Sequence, residues 1–243
     1  MSEKIKGSII IAVLESYEVV RRQILWYSLF MKAFPDWELI LVDDGSDPAI
    51  FDYKADFPLR VIHTKDDTPW SQPRARNIGA FIAKGEYLLM TDVDHIITPE
   101  AISDCDNFTG DKLRFSRGRA FLDEFGALKK SEAEIREWGI RETEIGKVDE
   151  HYNTFCIRRD IHVNLMHGYD DRFCGKYGSD DTDYSDRYGV LFREGKVKRS
   201  EKLKSMIYVF PDPKHDRKHI FHDLRRKGFT EYNNKSEVLK SGS

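Results

Sequence analysis

An α/β fold, with a mostly parallel Rossmann-like sheet flanked by helices, is what this sequence predicts. Two observations lead there. Short apolar runs alternate with amphipathic stretches through the first half, in the order strand, helix, strand, turn, strand, helix, strand. The runs are also apolar at nearly every position rather than at every second one, as strands covered on both faces are.

The elements follow in order. Ser8 to Leu14 (SIIIAVL) is a β-branched run and reads as a buried strand. Glu18 to Phe34 places Val19, Val20, Ile24, Leu25, Leu29 and Phe30 at helical spacing, a face wide enough to cover a sheet. Glu38 to Val42 (ELILV) is a second buried strand, stopped by the turn residues Asp43-Asp44-Gly45-Ser46-Asp47-Pro48. Leu59 to His63 is a short third strand. Pro73 to Lys84 is a helix, with proline near its start and Gly85 at its end. Glu86 to Met90 (EYLLM) is a fourth strand and runs into Thr91-Asp92-Val93-Asp94.

The second half is less regular. Pro99 to Cys105 is a short helix, and Leu113 to Leu122 alternates as a strand does. Ala127 to Gly146 is a charged helix or surface segment. Asn153 to Arg158 is a strand, Asp160 to Met166 a helix, and Gly168 to Asp183 begins as a loop. Asp180 to Phe192 is a helix with acids in its first turn, favourable at the positive end of its dipole. Ser205 to Phe210 is a last strand, and from Lys214 onward the chain is basic and polar.

Composition excludes several classes. Lys+Arg 39 against Asp+Glu 42 is a near balance, not the basic excess of a nucleic-acid binder. No apolar run approaches the roughly 20 residues of a membrane span. Residues 1–7 are polar and read as no secretory signal, so a cytoplasmic protein is expected. Cys105, Cys156 and Cys174 are widely spaced and form neither a disulfide framework nor a cysteine-rich metal site. No glycine falls between Ala12 and Tyr17. That argues against a dinucleotide dehydrogenase and against a sugar-nucleotide nucleotidyltransferase, both of which need a glycine-rich turn after the first strand.

In an open parallel sheet, ligands bind beyond the carboxyl ends of the strands. Asp43-Asp44 and Asp92-Val93-Asp94 both fall there. Clustered carboxylates repel, and a hard divalent ion shared with a diphosphate would relieve the repulsion. The i, i+2 spacing puts Asp92 and Asp94 on one side if strand geometry continues, and turns His95 away as a structural residue. A third acidic cluster is Gly178-Ser179-Asp180-Asp181-Thr182-Asp183, where a carboxylate within hydrogen-bond reach of an attacking group would act as a general base.

Val42-Asp43-Asp44-Gly45-Ser46, Ala75-Arg76-Asn77-Ile78-Gly79, Asp92-Val93-Asp94 and Gly168-Tyr169-Asp170-Asp171-Arg172-Phe173 through Gly178-Ser179-Asp180-Asp181 occur in the order seen in family 2 glycosyltransferases of the GT-A fold. The resemblance covers roughly residues 7 to 215. The last motif and His215 are also similar to inverting β-galactosyl and N-acetylgalactosaminyl transferases. The resemblance implies one GT-A domain over 1–215, with a nucleotide-binding half at about 7–95 and an acceptor half at 96–215. A basic tail follows at 216–243. It implies that Asp44 binds the base of a nucleotide-sugar, that Arg76 lies near base or diphosphate, and that Asp92 contacts the ribose. Asp94, with His215, would ligate Mn²⁺ or Mg²⁺. Asp181 would be the general base, and Asp180, where the family usually has Glu, would orient acceptor or base. The expected donor is a nucleotide-diphospho-sugar, UDP rather than GDP. The expected acceptor is a glycan or glycoconjugate, with no nucleic-acid partner. Ala12-Val13-Leu14-Glu15 departs from the Pro-x-Tyr-Asn-like end of the family's first strand. The competing readings are a non-catalytic nucleotide- or sugar-binding module on the same fold and the nucleotidyltransferase. His219 and His222 read as tail residues, and Trp70 as an anchor of its own loop.

Overall fold

A computed structural model describes residues 4–115, 119–121, 152–203, 205, 207–209 and 234–240 of the chain. Strand β1 (Gly7–Val13) is buried along its whole length. Helix α1 (Tyr17–Ser28) follows, then β2 (Trp37–Asp43), β3 (Leu59–His63), α2 (Gln72–Ile82), β4 (Tyr87–Thr91) and the short β5 (His95–Ile96). The chain continues through α3 (Pro99–Asp106), β6 (Lys112–Phe115), β7 (Arg119–Phe121), β8 (Phe155–Arg158), α4 (Asp180–Arg193), β9 (Glu201–Leu203), β10 (Ile207–Val209) and α5 (Lys235–Lys240).

The main sheet has seven strands in the order β3-β2-β1-β4-β8-β6-β9. β1 pairs in parallel with both β2 and β4, while β8 runs antiparallel between β4 and β6. A second sheet holds β5, β10 and β7. Alternate residues of the central strands feed two cores. Ile9, Ile11, Leu39, Leu41 and Leu89 pack with α1 and α3 on one face. Ile10, Ala12, Ile40, Val42, Leu88 and Met90 pack with α2 and α4 on the other. That double burial is why these strands are apolar throughout rather than alternating.

The strand order reverses on either side of β1, so the crevice between the ends of β1 and β4 is the switch point where open α/β sheets bind ligands. Two contacts shape it. Gly79 of α2 lies so close to the sheet that a Cβ there would come 2.6 Å from Ile10 Cγ2, which lets α2 settle on β1 and β2. On the other face, Gln23 of α1 donates through Nε2 to the carbonyls of Val93 and His95, and the Trp26 indole donates to Ile97 O at 2.8 Å. The helix therefore holds the acidic turn after β4 from behind.

Some expected elements differ. The helix expected over Glu18 to Phe34 stops at Ser28, and Met31–Ala33 forms a 3-10 turn. The single strand expected over Leu113 to Leu122 is two, with β6 in the large sheet and β7 in the small one. The helix expected over Asp160 to Met166 is one wide turn of π type, Ile161–Leu165. The segment from Ala127 to Gly146 and His215, His219 and His222 lie outside the described residues.

Candidate active site

β2 ends in two carboxylates with different work. Asp43, 1% exposed, accepts from the backbone N–H of Ser46 and of Ile50, each at 3.0 Å, and lies 3.0 Å from His63 Nδ1. It folds the turn. Its hydrogen bond raises the pKa of His63 above the ordinary histidine value against the opposing effect of burial, and Asp52 on the other ring nitrogen adds to the rise. Asp44 is held differently. Buried at 3% exposure, it accepts from Ser71 Oγ on one oxygen and from Ser71 N–H at 3.2 Å on the other. Ser71 stands at the N-cap of α2 but makes no side-chain cap bond, because its hydroxyl is given to Asp44. Gly45 follows with φ +81, a left-handed conformation that glycine adopts at no steric cost.

The second acidic feature is a turn, not a continued strand. β4 ends at Thr91, and His95 N–H donates to Asp92 O at 3.1 Å. Asp92 Oδ1 accepts from Arg76 Nη2 and, at 3.2 Å, from Gln72 Nε2. Asp94 is the exposed member, with 47% of its side chain open. His95 is 1% exposed. Its Nδ1 lies 2.7 Å from Thr154 Oγ1, and its Nε2 lies 4.0 Å from Asp94 Oδ1. Asp92, Asp94 and His95 each offer one ligand atom, and the three atoms lie within 4.8 Å of one another. Two carboxylate oxygens and an imidazole nitrogen are a donor set that fits Mn²⁺, and the carboxylates suit Mg²⁺. The expectation that His95 is turned away from Asp94 is therefore corrected. It relied on strand alternation, and the strand stops one residue before Asp92.

α2 supplies the connection to the third motif. Arg76 has no exposed surface. Its Nη2 pairs with Asp92, and its Nη1 donates to Asn153 Oδ1 at 2.7 Å and to the Tyr169 hydroxyl at 3.1 Å. The guanidinium carbon also lies 5.4 Å from the Tyr169 ring centroid, where the ring face favours a cation. Next to it, Asn77 grips the backbone of Tyr169 from both sides. Its Nδ2 donates to Tyr169 O and its Oδ1 accepts from Tyr169 N–H, each at 2.8 Å. Gly168 has φ +70, and a Cβ there would lie 2.3 Å from Asn77 Oδ1. The Ala75-Arg76-Asn77 and Gly168-Tyr169 motifs are thus two halves of one clamp.

Arg187 carries the clamp on to α4. It donates through Nη1 to Met166 O at 2.6 Å, through Nη2 to Gly168 O at 2.9 Å and through Nε to Asp183 Oδ2 at 2.7 Å. Asp183, 3% exposed, faces that arginine. Asp180 is 4% exposed, and its Oδ2 is buried with no hydrogen-bond partner among the described residues. Burial pushes its carboxyl up to about 6. Arg76 opposes the rise, and Asp181 and Asp92 add to it. Asp181 is half-buried, and its Oδ1 accepts from Thr182 N–H at 2.7 Å.

Sequence reasoning thus named Asp44, Arg76, Asp92, Asp94, Asp180 and Asp181, and the fold brings them to one edge of the sheet. Asp44 and Asp92 are joined through the adjacent residues Ser71 and Gln72. Asp92 and Asp180 both feel Arg76. It missed His95, Ser71, Asn153 and Tyr169. Tyr169 lay inside a quoted motif. Ser71 and Asn153 gave no signal.

Residues 8–110 match the model of glycosyl transferase family 2. No curated protein sequence matches the chain. Among solved structures, a fragment of S. aureus TarS in complex with UDP-GlcNAc is similar with a TM-score of 0.58 at 16% identity, over 85% of this chain and 59% of that one. The same fragment without that ligand gives 0.57 at 14% identity, over 96% and 68%. A longer S. aureus TarS structure gives 0.56 at 15% identity, over 91% of this chain and 39% of that one. The chain therefore spans about three fifths of the first of these structures. Its fold is that of the GT-A glycosyltransferases, and the family 2 match runs from β1 through the acidic turn to just past α3.

Proposed function

We propose that this chain is a metal-dependent, inverting glycosyltransferase. It moves a sugar from a UDP-sugar to a hydroxyl of a glycan or glycoconjugate in the cytoplasm. The observation that carries the reading is the convergence at the sheet's switch point. A buried carboxylate (Asp44), a cluster able to hold a cation (Asp92, Asp94, His95) and a helix N-terminus bearing Asp180 and Asp181 are linked there through Ser71, Gln72 and Arg76. The family 2 match over 8–110 supports the reaction class, and the UDP-GlcNAc and UDP complexes of S. aureus TarS support a uridine donor. In this reading residues 1–215 are one catalytic domain, and 216–243 a basic tail.

The roles follow from position. Asp44 accepts from the base, with Ser71 fixing its carboxylate. Asp92, fixed by Arg76 and Gln72, accepts from the ribose. Asp94 and His95 would hold the cation; His215, which the resemblance adds as a further ligand, lies outside the described residues. A divalent cation held there would supply charge neutralisation for the leaving diphosphate. Asp181, half-buried beside the closed-off Asp180, is the carboxylate an acceptor hydroxyl reaches. It takes the hydroxyl proton as the acceptor oxygen bonds to the anomeric carbon. The carbon–oxygen bond to the diphosphate breaks, and the diphosphate leaves with the electron pair. One displacement inverts the anomeric centre, and no second nucleophile is required. Asp180 orients Asp181 or the acceptor.

Calorimetric titration of UDP with and without Mn²⁺ tests the donor side. The unaltered protein should bind UDP more tightly with Mn²⁺, and Asp94→Ala should lose at least about tenfold of that affinity while leaving metal-free binding unchanged. An unchanged response to Mn²⁺ in Asp94→Ala would overturn the metal assignment. Absence of UDP binding by the unaltered protein would overturn the donor class.

A further inference from the structure

The resemblance places Arg76 near the base or diphosphate of the donor. The structure gives it other partners. Its side chain has no exposed surface, and both terminal nitrogens are spent on Asp92, Asn153 and Tyr169. A diphosphate in the solvent crevice would meet it only if those bonds broke. Burying a guanidinium is expensive unless it is paired and hydrogen-bonded, so its counter-charges identify its task.

Two carboxylates answer that description, and they come from opposite halves of the site. Asp92 follows β4 on the donor side and is paired with Arg76 directly. Asp180 opens α4 on the acceptor side. It is 4% exposed with one oxygen unpartnered among the described residues, and its helix reaches Arg76 through Tyr184, whose ring stacks at 4.5 Å on the Tyr169 that accepts from the guanidinium. Without the guanidinium, the buried Asp180 and the part-buried Asp92 would lose the cation between the two halves of the site. Neither element alone fixes this arrangement. Arg76 comes from α2, whose close seat on the sheet is set by Gly79, and Tyr169 beneath it is held by Asn77 one residue along α2.

The geometry points to Arg76 as a positioning residue, a buried charge lock that fixes the donor-side carboxylate Asp92 and the acceptor-side carboxylate Asp180 relative to one another rather than touching the donor. For its ligand-binding readout this inference rests on the glycosyltransferase reading; its stability readout does not. Burial raises the Asp180 carboxyl and Arg76 restrains the rise, the sign expected of such a lock.

A stability cycle and a binding ratio test it. In urea unfolding at pH 8, Arg76→Met should lower the folding equilibrium constant about a hundredfold or more, because it strands the buried Asp180 and the part-buried Asp92. Asp180→Asn should then raise that constant about tenfold more in the Arg76→Met background than in the unaltered protein. Strict additivity would overturn the lock. Should Arg76→Met not fold, Arg76→Lys keeps the charge and loses the fork, and binding carries the test. Uridine by NMR titration and UDP by calorimetry should weaken by the same factor, since the loss acts through Asp92. Loss of UDP affinity with uridine affinity intact would make Arg76 a diphosphate ligand and overturn the proposal. Non-additive stability in a protein that binds neither compound would uphold the lock and defeat the donor assignment alone.

Discussion

Replacing Gly168 by alanine strikes the clamp between the second and fourth sequence motifs. The backbone there has φ +70, a conformation that costs a residue with a Cβ about 1–2 kcal/mol. The new methyl carbon would lie 2.3 Å from Asn77 Oδ1 and 2.8 Å from its Cγ, so Asn77 must withdraw. Withdrawal gives up its two 2.8 Å bonds to Tyr169 N–H and O, each worth about 1 kcal/mol. Together the cost is roughly 3–4 kcal/mol, a large share of the about 5–15 kcal/mol that holds a domain folded. Urea unfolding should show the midpoint falling by roughly 1–2 M. The same change made on an Asn77→Ala background should cost only the backbone term, about 1–2 kcal/mol, because the clash and the two bonds are already gone. A loss below about 1 kcal/mol in the protein with Asn77 intact would refute the clamp. Equal losses in the two backgrounds would do the same. The functional consequence is a Tyr169 hydroxyl displaced from Arg76, so transfer activity should fall with stability.

Two pH dependences follow from the ionisations. Asp180 is raised to about 6 by burial, so ionising it costs stability that is absent below about pH 4, where it is protonated in both states, and complete above pH 6. Asp180→Asn should therefore gain on the unaltered protein as pH climbs through that window, by on the order of 3 kcal/mol at most. A gap that is independent of pH would contradict the burial. His63 has the opposite linkage. Its pKa is raised chiefly by Asp43, so the pair's stabilisation is full below the ordinary histidine value and fades as pH rises through the elevated one. His63→Gln should lower the melting temperature more at pH 5.5 than at pH 9, and the reverse order would show that the His63 bond to Asp43 does not favour the charged ring.

The donor half was legible because its signals are local. Ile9, Ile10 and Ile11 in succession announce a strand buried on both faces, and Pro73 and Gly85 bracket a helix that spans 72–82. Motif order placed the acidic residues at strand ends, where the structure has them. What sequence could not give was set by tertiary partners. Alternation over Leu113 to Leu122 is compatible with one strand or two, and pairing with β8 or with β10 decides which sheet each half joins. Strands as short as His95–Ile96 and Glu201–Leu203 carry no periodicity to detect. His95 was misjudged because period-two reasoning was carried past the last residue of β4. The turn that follows is shaped by Gln23, seventy residues away in sequence. Asp183 is a buried partner of Arg187, a tertiary role that the acidic run Asp180 to Asp183 does not announce, so its removal would cost stability.

The central claim is single-step transfer with Asp181 as base, and one measurement addresses it: the rate and product anomer of sugar transfer or donor hydrolysis by the unaltered protein and by Asp181→Asn. Asparagine keeps the size of the side chain and cannot accept the hydroxyl proton at neutral pH. The unaltered protein should give an inverted anomer, followed by NMR. Turnover in Asp181→Asn should fall by about a hundredfold or more while UDP affinity with Mn²⁺ stays within about twofold, since the group acts only in the transition state. Retained turnover in Asp181→Asn, or a product that keeps the donor's configuration, would contradict the claim.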